Sequence, residues 1–296
     1  MSSARVLPPA IIRLPGLMPA VIAALSFSTT DILLKVAYAS GMDVLTLASL
    51  RALLAAVFFW GWLRIVPPVR WHTARERAIA LGIGALFALS VVGLLEAVSL
   101  LPVSIAILAY FIYPLATGIA AALTGVERLG ARALLTATVA FLGLALMLGH
   151  GFGALSVLGL ACAFGAALCR VASLLATRAF LATTDARVTT WYSMVPSAML
   201  FLAASLTAGT WNVPQNSWGW AAFLGVTITS TLSTLLIYIS TNTVGPFRTA
   251  LALNLEPLVT LIASMALLEE VLDPVQMLGA GVMIAALCGF QFARGR

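Results

Sequence analysis

Ten stretches of this chain stay apolar for about the thickness of a bilayer, and that pattern decides what it can fold into. A membrane-crossing helix takes about 20 mainly apolar residues at 1.5 Å of rise each. Cut at proline, glycine and charge clusters, the candidates are Leu17–Ser40, Val44–Leu63, Ala78–Ser99, Val103–Leu123, Ala133–Leu148, Leu155–Ala176, Val188–Ala208, Trp218–Thr241, Phe247–Leu268 and Val275–Phe292. The runs are continuous, whereas barrel strands would be short and alternate in polarity. The sequence therefore predicts an all-α integral membrane protein of ten helices with no soluble domain. Composition agrees, with 62% hydrophobic and 9% charged residues, against about a quarter charged for a soluble domain. Secreted, disordered and nucleic-acid-binding classes are excluded. The first run is too long for the apolar core of a signal peptide and carries Asp31 and Lys35, so it is expected to stay in the mature protein. Cys162 and Cys169 are two helical turns apart, roughly 10.5 Å, too far for a disulfide. With Cys288 they read as small packing residues.

Charge reports orientation. If the N-terminus is cytoplasmic, the inside segments hold Arg5, Arg13, Arg64, Arg70, Arg75, Arg77, Arg128, Arg132, Arg178, Arg187, Arg248, Arg294 and Arg296, thirteen of the sixteen basic residues. The other three, Lys35, Arg51 and Arg170, fall within spans, which leaves no Lys or Arg in the outside loops around Gly41, Leu100, His150, Trp211 and Val271. By the positive-inside rule this predicts a multi-pass protein of the cell (inner, cytoplasmic) membrane with both termini cytoplasmic. The net charge of +6 is thus read as topology.

The chain also repeats itself at an offset of 143 residues. Ala23-Ala24-Leu25 falls on Ala166-Ala167-Leu168, Lys35 on Arg178, Tyr113-Pro114 on Glu256-Pro257, Glu127 on Glu270 and Leu129 on Leu272, while Pro102 and Pro246 miss register by one. The repeats run over about 17–149 and 154–292, within a single membrane domain spanning 1–296. Five spans per half is an odd number, so the second half enters the membrane in the opposite sense: an inverted repeat. Such pairs make two pseudo-symmetric states around a midplane site.

The stretch from Leu101-Pro102 through Pro114 to Glu127-Arg128, with its echo from Gly245-Pro246 through Glu256-Pro257 to Glu269-Glu270, resembles the signature of the drug/metabolite transporter superfamily, EamA type. The resemblance covers nearly the whole chain. It implies a proline in the middle of the fourth and ninth spans, an acidic residue at the end of each, and a small-residue helix after each, here Ala133–Leu148 and Leu278-Gly279-Ala280-Gly281. It further implies a ten-helix bundle whose central cavity is built mainly by spans one, three, four, six, eight and nine, with five and ten at the periphery. Family members export amino acids, metabolites and drugs. Aromatic residues along the cavity spans, and too few span-buried basic residues to hold a phosphate, favour the amino-acid exporters.

Several span residues could serve a substrate. Span eight carries Thr227, Ser230, Thr231, Thr234, Tyr238, Thr241 and Asn242 at helical spacing, one polar stripe that reads either as a wet cavity wall or as hydroxyls bonded to their own helix and to neighbours. Asn242 and Thr243 fall near the inside end, at the interface. On span four, Tyr110, Tyr113, Thr117 and Thr124 share a face, and Pro114 frees a backbone carbonyl near Tyr113, either a polar ligand point or an ordinary kink. Arg170 on span six could meet a substrate carboxylate or a buried carboxylate. Asn254 and Glu256, just before Pro257 in span nine, form a polar centre; Glu256 could receive a substrate ammonium, exchange a proton, or pair with Arg170 or Arg51. On span one, Asp31 and Lys35 lie one turn apart and can neutralise each other, while Ser26, Phe27, Thr29 and Thr30 are better placed to face a cavity. Arg51, two turns inside span two, needs a partner among Asp31, Glu96 and Glu256; Glu96 itself is near the outer end. Glu127, Glu269 and Glu270 read as cappers or gate contacts.

These features predict a secondary transporter working by alternating access on amino acids (aromatic or neutral) or similar small metabolites, with a proton-coupled drug or cation exporter as the alternative. Export is implied by the resemblance. No GxxxxGK[ST] loop is present, so no nucleotide-binding subunit is built in. A membrane enzyme would need clustered catalytic groups, yet His72 and His150 stand alone in opposite loops. No catalytic residue, metal or cofactor is predicted. The expected partners are a small-molecule substrate and the lipid bilayer, the chain acting as a monomer without nucleic acid.

Overall fold

The computed structural model describes residues 16–127, 129–148, 156–209, 211–268 and 274–292. Among them only helices form, with no strand: α1 Met18–Ala39, α2 Val44–Ile65, α3 Ala74–Leu100, α4 Val103–Tyr110, α5 Tyr113–Leu123, α6 Ala131–Met147, α7 Val157–Leu181, α8 Ala186–Ala208, α9 Ser217–Val244, α10 Pro246–Leu253, α11 Leu255–Leu268 and α12 Pro274–Phe292. Their starts are written in the sequence. Asp43, Ser156, Asp185 and Asn216 each cap the N-terminus of α2, α7, α8 and α9, and Thr73 with Glu76 closes a reciprocal capping box on α3. Seven helical stretches are long and apolar enough to cross a membrane, counting Ile105–Leu123 as one, and Ala131–Met147 and Pro274–Ala286 are shorter apolar helices. Large side chains such as Leu53, Val57, Phe58, Leu158, Met199 and Ile228 cover the outside of the bundle, a surface that belongs in hydrocarbon.

Two of the sequence runs break in mid-course. Val103–Leu123 divides into α4 and α5, and Phe247–Leu268 into α10 and α11. Pro114 and Pro257 have no N–H to offer and crowd the carbonyl four residues back, so neither helix can continue through them. The breaks fall at Phe111 and Asn254, which are 143 positions apart.

Partner choice repeats under exchange of the halves. If α1 to α6 correspond to α7 to α12, the α1–α9 packing has its image in α7–α3, the α4–α7 contact in α10–α1, and α2–α8 and α6–α12 are their own images. Close approach is set by small residues. Gly84 of α3 lies against the Ser193 carbonyl of α8, and Gly143 of α6 meets Gly279 and Met283 of α12.

The loops gather at two ends. At one, Arg187 donates to the Val66 carbonyl (3.0 Å), His72 meets Thr189 (3.0 Å) and Glu127 reaches the start of α10; this is the arginine-rich end. At the other, Asp43 accepts from the Asn212 backbone (2.8 Å), and the Gln215 N–H donates to the Ser40 carbonyl (3.0 Å).

Candidate substrate cavity

A cavity of about 600 Å³ enters the bundle from the end opposite the arginine-rich loops and stops near its middle. That volume suits a small organic molecule. Its mouth is formed by Tyr38, Val44, Leu95, Leu148 and Gln276 and its floor by Tyr113, Arg170 and Glu256. One face of α1 makes a wall, with Phe27, Thr30, Asp31, Leu34 and Tyr38 at helical spacing. Thr30 is fixed by bonding the Ser26 carbonyl (2.9 Å) and the Thr229 hydroxyl (2.7 Å). Across the cavity, Thr260 of α11 donates to Asp31 Oδ2 and meets Ser28 Oγ, each at 3.1 Å, and so ties the two walls together.

The helix breaks deliver the floor. Where α4 gives way to α5, the rings of Tyr110, Phe111 and Tyr113 cluster with centroids 5.4–5.8 Å apart. Where α10 gives way to α11, Glu256 sits in the first helical turn, a position where the dipole favours a carboxylate. Arg170 of α7 places its guanidinium 5.9 Å from the centre of the Tyr113 ring, within electrostatic reach of Glu256. Arg51 of α2 lies 5.8 Å from the centre of the Phe87 ring. Both arginines therefore rest on aromatic faces. Among the described residues no salt bridge joins either of them to Asp31 or Glu256, and the buried Arg170 Nε has no hydrogen-bond partner. The cavity thus holds two cations and two carboxylates, with the Arg170 Nε left to bond, inside an aromatic and aliphatic wall.

Of the residues singled out by sequence, Phe27, Thr30, Asp31, Arg51, Tyr110, Tyr113, Arg170, Ser230, Glu256 and Pro257 border this space. Thr234 and Tyr238 do not; with Arg170 they border a separate cavity of about 20 Å³. Asn254 is buried at the α10–α11 break with its Oδ1 unpartnered among the described residues. Lys35 is exposed, within electrostatic reach of Asp31, and Pro114 is buried at the start of α5. Glu96 and Thr29 are exposed. Much of the α9 stripe bonds its own helix: Thr227 to Phe223, Ser230 to Thr227 and Thr234 to Ser230. Glu127 accepts from the Phe247 N–H (3.1 Å) and pairs with Arg248 (3.5 Å), so it caps α10 from the other half of the chain. Gly245 is required there, since its φ is +102° and a Cβ would strike the Glu127 carboxylate. Glu269 and Glu270 lie outside the described residues.

Sequence reading missed Tyr38, Phe87, Thr260 and Gln276. Thr260 carried a signal: it follows Glu256 by four residues, one turn along the same helix face.

A family model for EamA-like transporters matches the chain twice, over residues 14–149 and 157–291. The chain belongs to the EamA-like transporter family. It is therefore a membrane transporter of the drug/metabolite type, in a family that is not one of enzymes. The two matches fall on the two halves that exchange partners in the fold. A crystal structure at 17% sequence identity superposes on this EamA-like chain with a TM-score of 0.79, covering 92% of this chain and 96% of the other. It shares the fold. No curated protein matches the chain.

Proposed function

We propose that this EamA-like chain is a monomeric secondary transporter that exports amino acids with neutral or aromatic side chains from the cytoplasm by alternating access. Ten spans form two inverted five-helix repeats, the arginine-rich end faces the cytoplasm of the inner membrane, and the cavity opens outward. One observation carries the substrate class: two arginines and two carboxylates, unpaired with each other, share one aromatic cavity. A zwitterion satisfies that arrangement. Its carboxylate takes the unpartnered Nε donor of Arg170 on the floor, its ammonium sits by Glu256 and Asp31, and an apolar side chain lies against Phe27, Phe87 and Tyr110. A phosphorylated substrate brings excess negative charge that the two carboxylates oppose.

The test is flux of labelled amino acids, nucleosides and organic cations into proteoliposomes holding only this protein, without a proton gradient. Saturable amino-acid flux, lost in Arg170→Gln at the substrate concentration that half-saturates the wild type, is the expected result. Flux of cations alone, and only with a proton gradient, would replace this reading with a proton-coupled cation exporter. The proximity of Glu256 to Asp31 is what favours that second reading, and there Glu256→Gln abolishes the pH dependence of transport.

A further inference from the structure

The large cavity has a small twin. A second space of about 20 Å³, room for one water, lies between α3, α7 and α9, on the arginine-rich side of the floor. Its lining residues are repeat images of those of the large cavity. Arg170, Ser173 and Thr177 of α7 stand 143 positions after Phe27, Thr30 and Leu34 of α1. Thr234 and Tyr238 of α9 stand 143 positions after Val91 and Leu95 of α3. The other four lining residues obey the same rule, so that all nine have an image on the wall of the large cavity.

Packing departs from exchange symmetry at this same place. α7 packs on α9 around the small space, whereas α1 and α3, their images, are held apart by the large cavity. Likewise α5 packs extensively on α10, and among the described residues α4 and α11 have no comparable contact. Below the small space the α7–α9 seam is clasped: Arg178 donates to the Asn242 carbonyl, and Asn242 Nδ2 donates to the Leu181 carbonyl (3.0 Å). Polar atoms on or beside the seam are also left without partners among the described residues, namely Arg170 Nε, Thr241 Oγ1 and Asn242 Oδ1. Buried polar groups are nearly always partnered. Groups without partners in one state gain them when water reaches the seam in another.

We infer that the small cavity is the collapsed second half of the transport path, and that α7 and α9 part along the Arg178–Asn242–Leu181 clasp to open it at the arginine-rich end while α1 and α3 close the other. This rests on the alternating-access reading above. It also gives the α9 stripe a use that the large cavity does not. The two half-paths are images in position but not in chemistry: Phe27, Leu34, Val91 and Leu95 on one side correspond to Arg170, Thr177, Thr234 and Tyr238 on the other, while Asp31 and Ser230 correspond to Leu174 and Phe87.

The experiment uses the full chain with Cys162, Cys169 and Cys288 replaced by serine, reconstituted and shown to carry flux. Single cysteines are placed at Ser173, Thr177 and Thr234, and at their images Thr30, Leu34 and Val91. A membrane-impermeant thiol reagent is then applied from one face at a time. Ser173→Cys changes one atom and keeps the fold where a larger change would not. The expected result is labelling of the first set only from the arginine-rich face and of the second only from the opposite face. Asn242→Ala, which removes one clasp bond, should raise labelling of the first set relative to the second, shifting their ratio by about threefold, the worth of one membrane hydrogen bond. Flux that persists while Ser173→Cys and Thr234→Cys stay unlabelled from either face overturns the path and leaves the transporter reading standing. Labelling of both sets from the same face overturns it as well. Absence of saturable flux for every substrate tried, measured before any labelling, strikes the transporter reading itself.

Discussion

Gly84→Ala tests the packing that holds α3 to α8, and so one half of the chain to the other. A Cβ on Gly84 would stand 2.1 Å from the Ser193 carbonyl oxygen and 2.7 Å from the Pro196 ring. Ordinary contact begins near 3.4 Å, so the helices must part by about 1.3 Å. The obstacle is backbone, and no rotamer change relieves it. Parting also stretches the bond from Ser197 Oγ to the Gly84 carbonyl, now 2.8 Å. Overpacking costs about 1–3 kcal/mol and the interhelical bond about 0.6 kcal/mol, against a gain of up to about 1 kcal/mol for alanine over glycine in a helix. The expected net loss is about 1–3 kcal/mol. Gly82, two residues earlier on the same helix, has nothing within 4 Å of a built Cβ, so Gly82→Ala should instead be neutral or stabilising. Equilibrium unfolding of the two variants in one detergent reads the difference directly. Gly84→Ala as stable as Gly82→Ala would refute the close approach and the packing drawn from it.

Two further outcomes follow from the arginine-rich end. His72, in the α2–α3 connection, is buried against Thr189 and Tyr192, and burial pushes its imidazole from 6.5 down to about 4. The unfolded chain therefore binds the proton first, so stability should fall as pH drops through 6.5 towards 4, by about 1–2 kcal/mol between pH 7 and pH 5; unfolding midpoints across that range should lose this slope in His72→Gln. Glu127→Ala removes the cap on α10 and should destabilise by about 1 kcal/mol, with Glu127→Gln intermediate because it keeps an acceptor for the Phe247 N–H; equal unfolding midpoints for both variants and wild type would mean that the cap is idle.

The helical character was legible because a bilayer sets a minimum apolar length for a span, although among the described residues only seven helical stretches reach it. The capping box of Thr73 with Glu76 is a local pattern, yet it was not singled out from the sequence. The breaks at Phe111 and Asn254 were half-legible: Pro114 and Pro257 announced a disturbance, but whether a membrane helix bends or divides depends on which neighbours can receive its freed carbonyls. On α1 the cavity was half-legible: Phe27 and Thr30 border it, Ser26 and Thr29 do not, and Asp31, read as neutralised by Lys35, does; α9 was read less well. There the stripe was visible in sequence, and its division between two cavities was not, since Ser230 and Thr234 differ only in which side of the floor they reach. Phe87 went unnoticed because a phenylalanine in an apolar run looks the same facing lipid or a guanidinium. Thr260 meets Asp31 from more than two hundred positions away, a distance at which one sequence gives no pairing signal.

The unlike lining of the two half-paths bears on kinetics. An uncoupled carrier obeys detailed balance, so no asymmetry of its vestibules can make it pump. The ratio of maximal velocity to half-saturating concentration must be the same from either side. What the unlike linings can set is each side's half-saturation separately, and with it the concentration range over which the carrier responds. Direction then belongs to the metabolism that fills one compartment, and the protein's own sequence decides only how early that filling is felt.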